Sequence, residues 1–245
     1  MKLDTREIRA VASIQPIRVD LYSGIHKAIR ALMADTLLAL GRLDPDDAAE
    51  LSTVSDRILE LLDFCAGHVR HENDFIHTAI EARAAGASAA LAHEHDEHVQ
   101  SIARLQGAVA RLRRTAGGQE AAGAAQALYR DLALFVGHNF VHMHEEETAH
   151  NAILWTHYTD AELIDLHARL LATIAPPEMM YTLRWMVPAL TPAERTALLS
   201  DMRAHAPAPA FEAALAHVRP FLTGRDWAKL ARSLGLPPVP GLVTV

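Results

Sequence analysis

The chain has 245 residues, half of them apolar, which excludes a disordered chain and suffices for one large core or a bundle with an appendage. Thirty acidic against 23 basic residues leave a formal charge of −7, so there is no basic footprint for nucleic acid or an anionic membrane. A lone cysteine, Cys65, excludes an intramolecular disulfide and favours a reducing compartment. The charged opening MKLDTREIRA and the lack of a long apolar run predict a cytoplasmic protein with neither export signal nor membrane span.

Helical periodicity runs through four long segments closed by breakers. The first spans about Arg18 to Leu40 and stops at Gly41. Asp44-Pro45 offers an N-cap and a first-turn proline for the second, which continues to about Arg83, with a kink expected near Gly67. Ser88 is the expected cap of the third, about Ala89 to Arg113, and Gly117-Gly118 separates it from the fourth, about Glu120 to Trp155. Such short connections make neighbours antiparallel, so the expected fold is all-α, an up-down-up-down four-helix bundle over residues 18–158. From Thr159 the pattern breaks into shorter amphipathic pieces punctuated by Pro176-Pro177, the Thr191-Pro192-Ala193-Glu194 capping box and Pro207 to Pro209. Residues 159–235 are therefore expected to form a helical appendage packed on the bundle, followed by a tail over 236–245.

Histidine is the compositional anomaly: twelve of the fifteen fall between Gly24 and Tyr158. Writing out the apolar stripe of each helix shows why, because a side chain on that stripe faces the interior. The first stripe reads Tyr22, His26, Ile29, Met33, Thr36, Leu40. The second reads Leu51, Val54, Ile58, Leu61, Cys65, His68, Glu72, Phe75, Ala79. The third reads Leu91, His95, His98, Ile102, Leu105, Val109, Leu112, and the fourth Leu128, Leu132, Phe135, Asn139, His142, Glu146, Ala149, Ile153. Every stripe carries histidine, and two add a glutamate one turn later.

A buried carboxylate costs several kcal/mol unless paired or bound to metal, and two in one core also repel each other. Residues at i and i+4 share a helix face, so His68 with Glu72, and His142 with Glu146, each form a two-ligand unit. The motifs repeat once per αα hairpin, which suits two metal ions on the bundle axis, bridged by Glu72 and Glu146 and capped by imidazoles. His98, three residues after His95, could reach the same ion or bond water beside it. Tyr22 and Asn139, one turn from ligand positions, and His71, beside the stripe, are candidates to orient a ligand. His77, His150 and His157 fall farther along and read as surface or capping residues, and Cys65 as a small buried hydrophobe.

These residues, His26, His68-x-x-x-Glu72, Glu94-His95 and His142-x-x-x-Glu146 followed by Glu147, resemble the hemerythrin-like (HHE cation-binding) domain over roughly residues 18–158. The resemblance implies a non-heme di-iron centre with His26 and His68 on one iron, His95 and His142 on the other, Glu72 and Glu146 bridging, and an oxo or hydroxo bridge besides. It also implies an O₂, NO or peroxide ligand, and either a reductase or a protein partner for the appendage; the alternative is an iron- or redox-responsive sensor using the same site. Two features depart from oxygen-carrying members: His95 and His98 are separated by two residues instead of three, and the fourth helix has His-x3-Glu in place of His-x4-Asp. The latter is similar to bacterial iron–sulfur repair proteins and to the hemerythrin domains of iron-sensing ubiquitin ligases.

Overall fold

A computed structural model describes residues 18–115 and 117–237; the first seventeen residues and most of the expected tail lie outside the described residues. Among the described residues the secondary structure is helical, with no strand. Helix α1 spans Ser23–Gly41. Helix α2 runs Ala48–His71, passes through a π-helical stretch Glu72–His77 and ends Thr78–Arg83. Helix α3 spans Ala89–Leu112, and α4 runs Gly118–Glu145, a π-helical stretch Glu146–His150, then Asn151–His157. Each of these four packs on its neighbours in a ring, α1 on α2, α2 on α3, α3 on α4 and α4 on α1, closing a bundle around Leu32, Ile58, Leu61, Leu105, Leu128 and Leu132.

Local chemistry sets the boundaries. Asp47, not Asp44, caps α2, its carboxylate accepting from the Ala49 and Glu50 amides; Asp44 and Pro45 lie in the preceding turn. The Ser88 side chain makes no cap bond to α3 and instead donates to Glu81. Gly117 and Gly118 supply the left-handed turn that opens α4, at φ 90° and 66°. The α-helical stretch of α2 continues through Gly67, and the helix takes up one extra residue in the π stretch five positions later.

The remaining helices are α5 (Asp160–Leu171), α6 (Pro176–Ala189), α7 (Pro192–His205), α8 (Ala208–Val218) and α9 (Gly224–Ser233). Thr159 and Glu162 make the capping box that starts α5, which closes one end of the bundle: Leu163 and Leu166 pack with Tyr22, Ile76, Ile80 and Leu154. Arg18 staples this end, bonding Asp160 and the Trp155 and Tyr158 carbonyls. Helix α6 lies along α1, with Tyr181 and Trp185 against the bundle and Leu183 and Val187 turned to a second core shared with α7, α8 and α9. The expected Thr191–Glu194 capping box opens α7, and buried Arg195 satisfies the Val187, Pro188 and Leu190 carbonyls at the end of α6. Leu236, assigned to the tail, packs against this second core.

Candidate metal centre

Four histidine rings and two carboxylates meet at the end of the bundle closed by α5. His26 comes from α1, His68 and Glu72 from α2, His95 from α3, and His142 and Glu146 from α4; His68 is partly exposed and the others are buried. His26 Nε2 lies 3.5 Å from Glu72 Oε1 and 3.4 Å from Glu146 Oε2, and His68 Nε2 lies 3.2 Å from Glu72 Oε1. On the other side, His95 Nε2 lies 3.5 Å from Glu72 Oε2 and 3.6 Å from Glu146 Oε1, and His142 Nε2 lies 3.3 Å from Glu146 Oε1. Each carboxylate therefore turns one oxygen to the first histidine pair and the other oxygen to the second. The donors fall into two groups sharing both glutamates, His26, His68, Glu72 and Glu146, and Glu72, His95, His142 and Glu146; within each group the ligand atoms lie within 4.8 Å of one another.

The atoms that point inward are chemically unsatisfied. All four oxygens of Glu72 and Glu146, and Nε2 of His26 and His68, find no hydrogen-bond partner among the described residues. Nε2 of His95 and His142 stand 2.9 Å apart, a contact that a shared proton or a cation must mediate. Buried polar atoms are normally paired, so this concentration of exceptions fits a bound cation.

The outward-facing nitrogens of three of the four rings are paired instead, and in a repeating way. His26 Nδ1 donates to Glu147 at 3.0 Å, and His95 Nδ1 donates to the Asn73 side-chain oxygen at 2.8 Å. Glu147 and Asn73 each follow a bridging-position glutamate, so each hairpin orients a histidine of the other. His142 Nδ1 donates to Glu94 at 2.7 Å, and Arg30 holds Glu147 from behind at 2.6 Å. A donating Nδ1–H leaves Nε2 with its lone pair, the tautomer that ligates metal.

Electrostatics agree with the geometry. Burial and the neighbouring Glu146 push the Glu72 pKa up, but His68, His26 and His95 outweigh both and hold it below the usual carboxylate range. Burial opposes protonation of His95, yet its contacts to Glu146 and Glu72 raise its pKa to about 9, and His26 is raised for the same reasons. Burial alone dominates at His68, lowered to about 4. The cluster thus holds two anionic carboxylates and draws protons onto imidazoles, which is what a cation site does when protons are the available cations.

The other candidates fall differently. His98 lies outside both donor groups, its ring standing edge-on to His142 with centroids 4.7 Å apart. Asn139 donates to the Phe135 carbonyl of its own helix, and His71 turns outward, 3.9 Å from Glu178 on α6. Tyr22 is buried, and its hydroxyl lies 3.2 Å from His150 Nδ1. Cys65 is a buried hydrophobe whose thiol burial pushes up to about 12. His77 and His150, read as surface or capping residues, are instead 5% and 2% exposed; of that trio only His157 is exposed. The physical reason is the π stretch. One inserted residue rotates everything after it by about 100°, so the stripe continues through Ile76 and Ile80, and through His150 and Leu154, not through Phe75, Ala79, Ala149 and Ile153. The signal for this was the third member of each motif, His68-x3-Glu72-x4-His77 beside His142-x3-Glu146-x3-His150.

Imidazoles and carboxylates converging inside antiparallel helices define a cation-binding helical bundle. A family model for the Hemerythrin HHE cation binding domain matches residues 18–154, more than half of the chain, and the protein belongs to that family. No curated protein and no solved structure matches the chain at a significant level. No helix among the described residues is long and apolar enough to cross a membrane.

Proposed function

We propose that the protein is a cytoplasmic non-heme di-iron protein that binds or processes O₂, NO or peroxide. The observation that carries this reading is the paired orientation of Glu72 and Glu146, each with one oxygen toward His26 and the other toward His95, and all four oxygens unpartnered among the described residues. In this assignment His26 and His68 would hold one iron and His95 and His142 the other, with Glu72 and Glu146 shared between them. A bound iron pair would supply two-electron chemistry toward a small oxidant. The chain's own residues do the rest. Glu147, Asn73 and Glu94 orient the rings of His26, His95 and His142. Met33, Ile102 and Phe135, buried in the core on the same stripes, would form the apolar sleeve that keeps water and external reductants away.

Two imidazoles and two carboxylate oxygens per iron leave positions for exchangeable ligands, which favours irreversible reduction of peroxide or NO over reversible oxygen carriage. The test is anaerobic reconstitution with Fe²⁺, followed by optical spectra on adding O₂, NO and peroxide in turn. The reading expects air to oxidise the reduced protein without a long-lived oxygen adduct; a stable adduct that releases O₂ under vacuum would identify an oxygen carrier instead.

One observation favours a sensor as the second reading. Helix α1, which carries His26, is also the helix along which α6 lies, and Lys27 next to His26 pairs with Glu194 at the start of α7. Iron occupancy at His26 would then be felt by the appendage and by any protein docked there. Limited proteolysis of iron-loaded and iron-free protein separates the readings: a sensor exposes cleavage sites in α6–α9 only without iron, whereas an enzyme keeps one pattern.

A further inference from the structure

The register shift that buries His77 and His150 places them together. His77 follows Glu72 by five residues and His150 follows Glu146 by four, each closing the π stretch of its own helix. Their rings meet edge to face with centroids 5.2 Å apart, and one ligand atom from each lies within 4.8 Å of the other and of a Glu146 oxygen. This group includes none of His26, His68, His95 and His142. A point between those two rings is thus distinct from both four-donor groups, with which it shares only Glu146.

His77 supplies the independent observation. It is 5% exposed, and neither ring nitrogen has a hydrogen-bond partner among the described residues. A histidine buried merely for packing would satisfy at least one nitrogen, since an orphaned buried polar atom costs roughly 1–3 kcal/mol. His150 is held by Tyr22; with its Nδ1–H donating to the phenol oxygen, Nε2 keeps a lone pair.

We infer that His77, His150 and Glu146 form a third cation position beside the dinuclear site, suited to a borderline divalent ion such as Fe²⁺ or Zn²⁺. The inference rests on the dinuclear reading above, because Glu146 is the carboxylate that joins the two. Each carboxylate oxygen has two lone pairs, so Glu146 can serve a third ion while bridging the first two. Only three protein donors and the repulsion of two neighbouring dications make this position the weakest, an ion held in exchange with solvent rather than a permanent constituent.

The experiment is an anaerobic Fe²⁺ titration of the full chain followed by equilibrium dialysis, comparing wild type with the double variant His77→Gln, His150→Gln. The wild type is expected to take up about three ions, the last at least about tenfold weaker than the others, and the double variant to stop at about two. Wild type saturating at two, or a double variant that still binds a third, overturns the third position alone. Wild type binding fewer than two refutes the dinuclear reading instead. Should the double variant not fold, wild-type crystals soaked in Zn²⁺ decide the matter: a third anomalous peak between His77 and His150 supports the site, and none with the pair occupied overturns it.

Discussion

Glu147 accepts from His26 Nδ1 at 3.0 Å while its carboxylate is gripped by Arg30 at 2.6 and 3.1 Å. The residue beside the bridging-position Glu146 thus reaches across the bundle to fix the ring that faces that glutamate. Outer partners of this kind typically contribute about 10–100-fold to metal affinity. Glu147→Ala is expected to weaken iron binding by about that factor while leaving helix content unchanged, read by competition against a chelator. Unchanged affinity would mean that His26 needs no orienting partner and does not ligate.

Protons and metal compete for the same nitrogens, and the sign follows from His95. Burial opposes its protonation, but contacts to Glu146 and Glu72 raise its pKa to about 9 from the ordinary 6.5 in the metal-free fold. Its contribution to the stability of metal-free protein is therefore full below about 6.5 and lost as the pH rises through about 9. Binding a cation requires the proton to leave, so metal affinity moves oppositely and climbs over that interval. Calorimetric titration with Zn²⁺ in buffers of different ionisation enthalpy should show proton release at pH 7; release of no protons would contradict the electrostatic picture.

Replacing Glu72 or Glu146 by alanine removes a carboxylate that faces both histidine pairs and should cost at least one iron. His205→Ala and His217→Ala, on α7 and α8, should leave iron content untouched. Equal loss from both classes would place the site elsewhere. His98→Leu should likewise retain both irons, since that ring lies outside the donor groups; loss of one iron would make His98 a ligand after rearrangement.

The appendage makes a separate prediction. Arg195 is buried and bonds three carbonyls at the α6–α7 junction, so Arg195→Ala leaves those acceptors unpaired and should destabilise the protein by about 3 kcal/mol. Denaturant unfolding should show the loss, with iron content in the folded protein unchanged. Destabilisation below about 0.5 kcal/mol would mean that water replaces the guanidinium at that junction.

How far the sequence could be read is clearest along the stripes. From Tyr22 to Leu40, and from Leu91 to Leu112, every stripe position is buried, because an uninterrupted α-helix keeps its period and burial follows it. Along α2 and α4 the agreement ends at Glu72 and Glu146, where the π stretches begin. No single residue type announces a one-residue insertion, and the histidine following each motif was the hint passed over, so extrapolating the period past each glutamate put Phe75 and Ala149 on the inner face and left His77 and His150 outside. The orienting bonds from Asn73, Glu94 and Glu147 were equally hidden, since they join residues 22, 48 and 121 positions apart. In the C-terminal part the capping box at Thr191 was legible from local chemistry. The division of α6 between two cores was not, because it depends on which surface α1 offers.

The most direct test of the account is the iron content of anaerobically reconstituted protein after gel filtration, combined with Mössbauer spectroscopy of the oxidised form. Two buried carboxylates, each shared between two histidine pairs, predict about two tightly held irons per chain whose high-spin ferric ions are magnetically coupled to a diamagnetic ground state. A single isolated paramagnetic iron, or one tightly held zinc with no second metal, would contradict it.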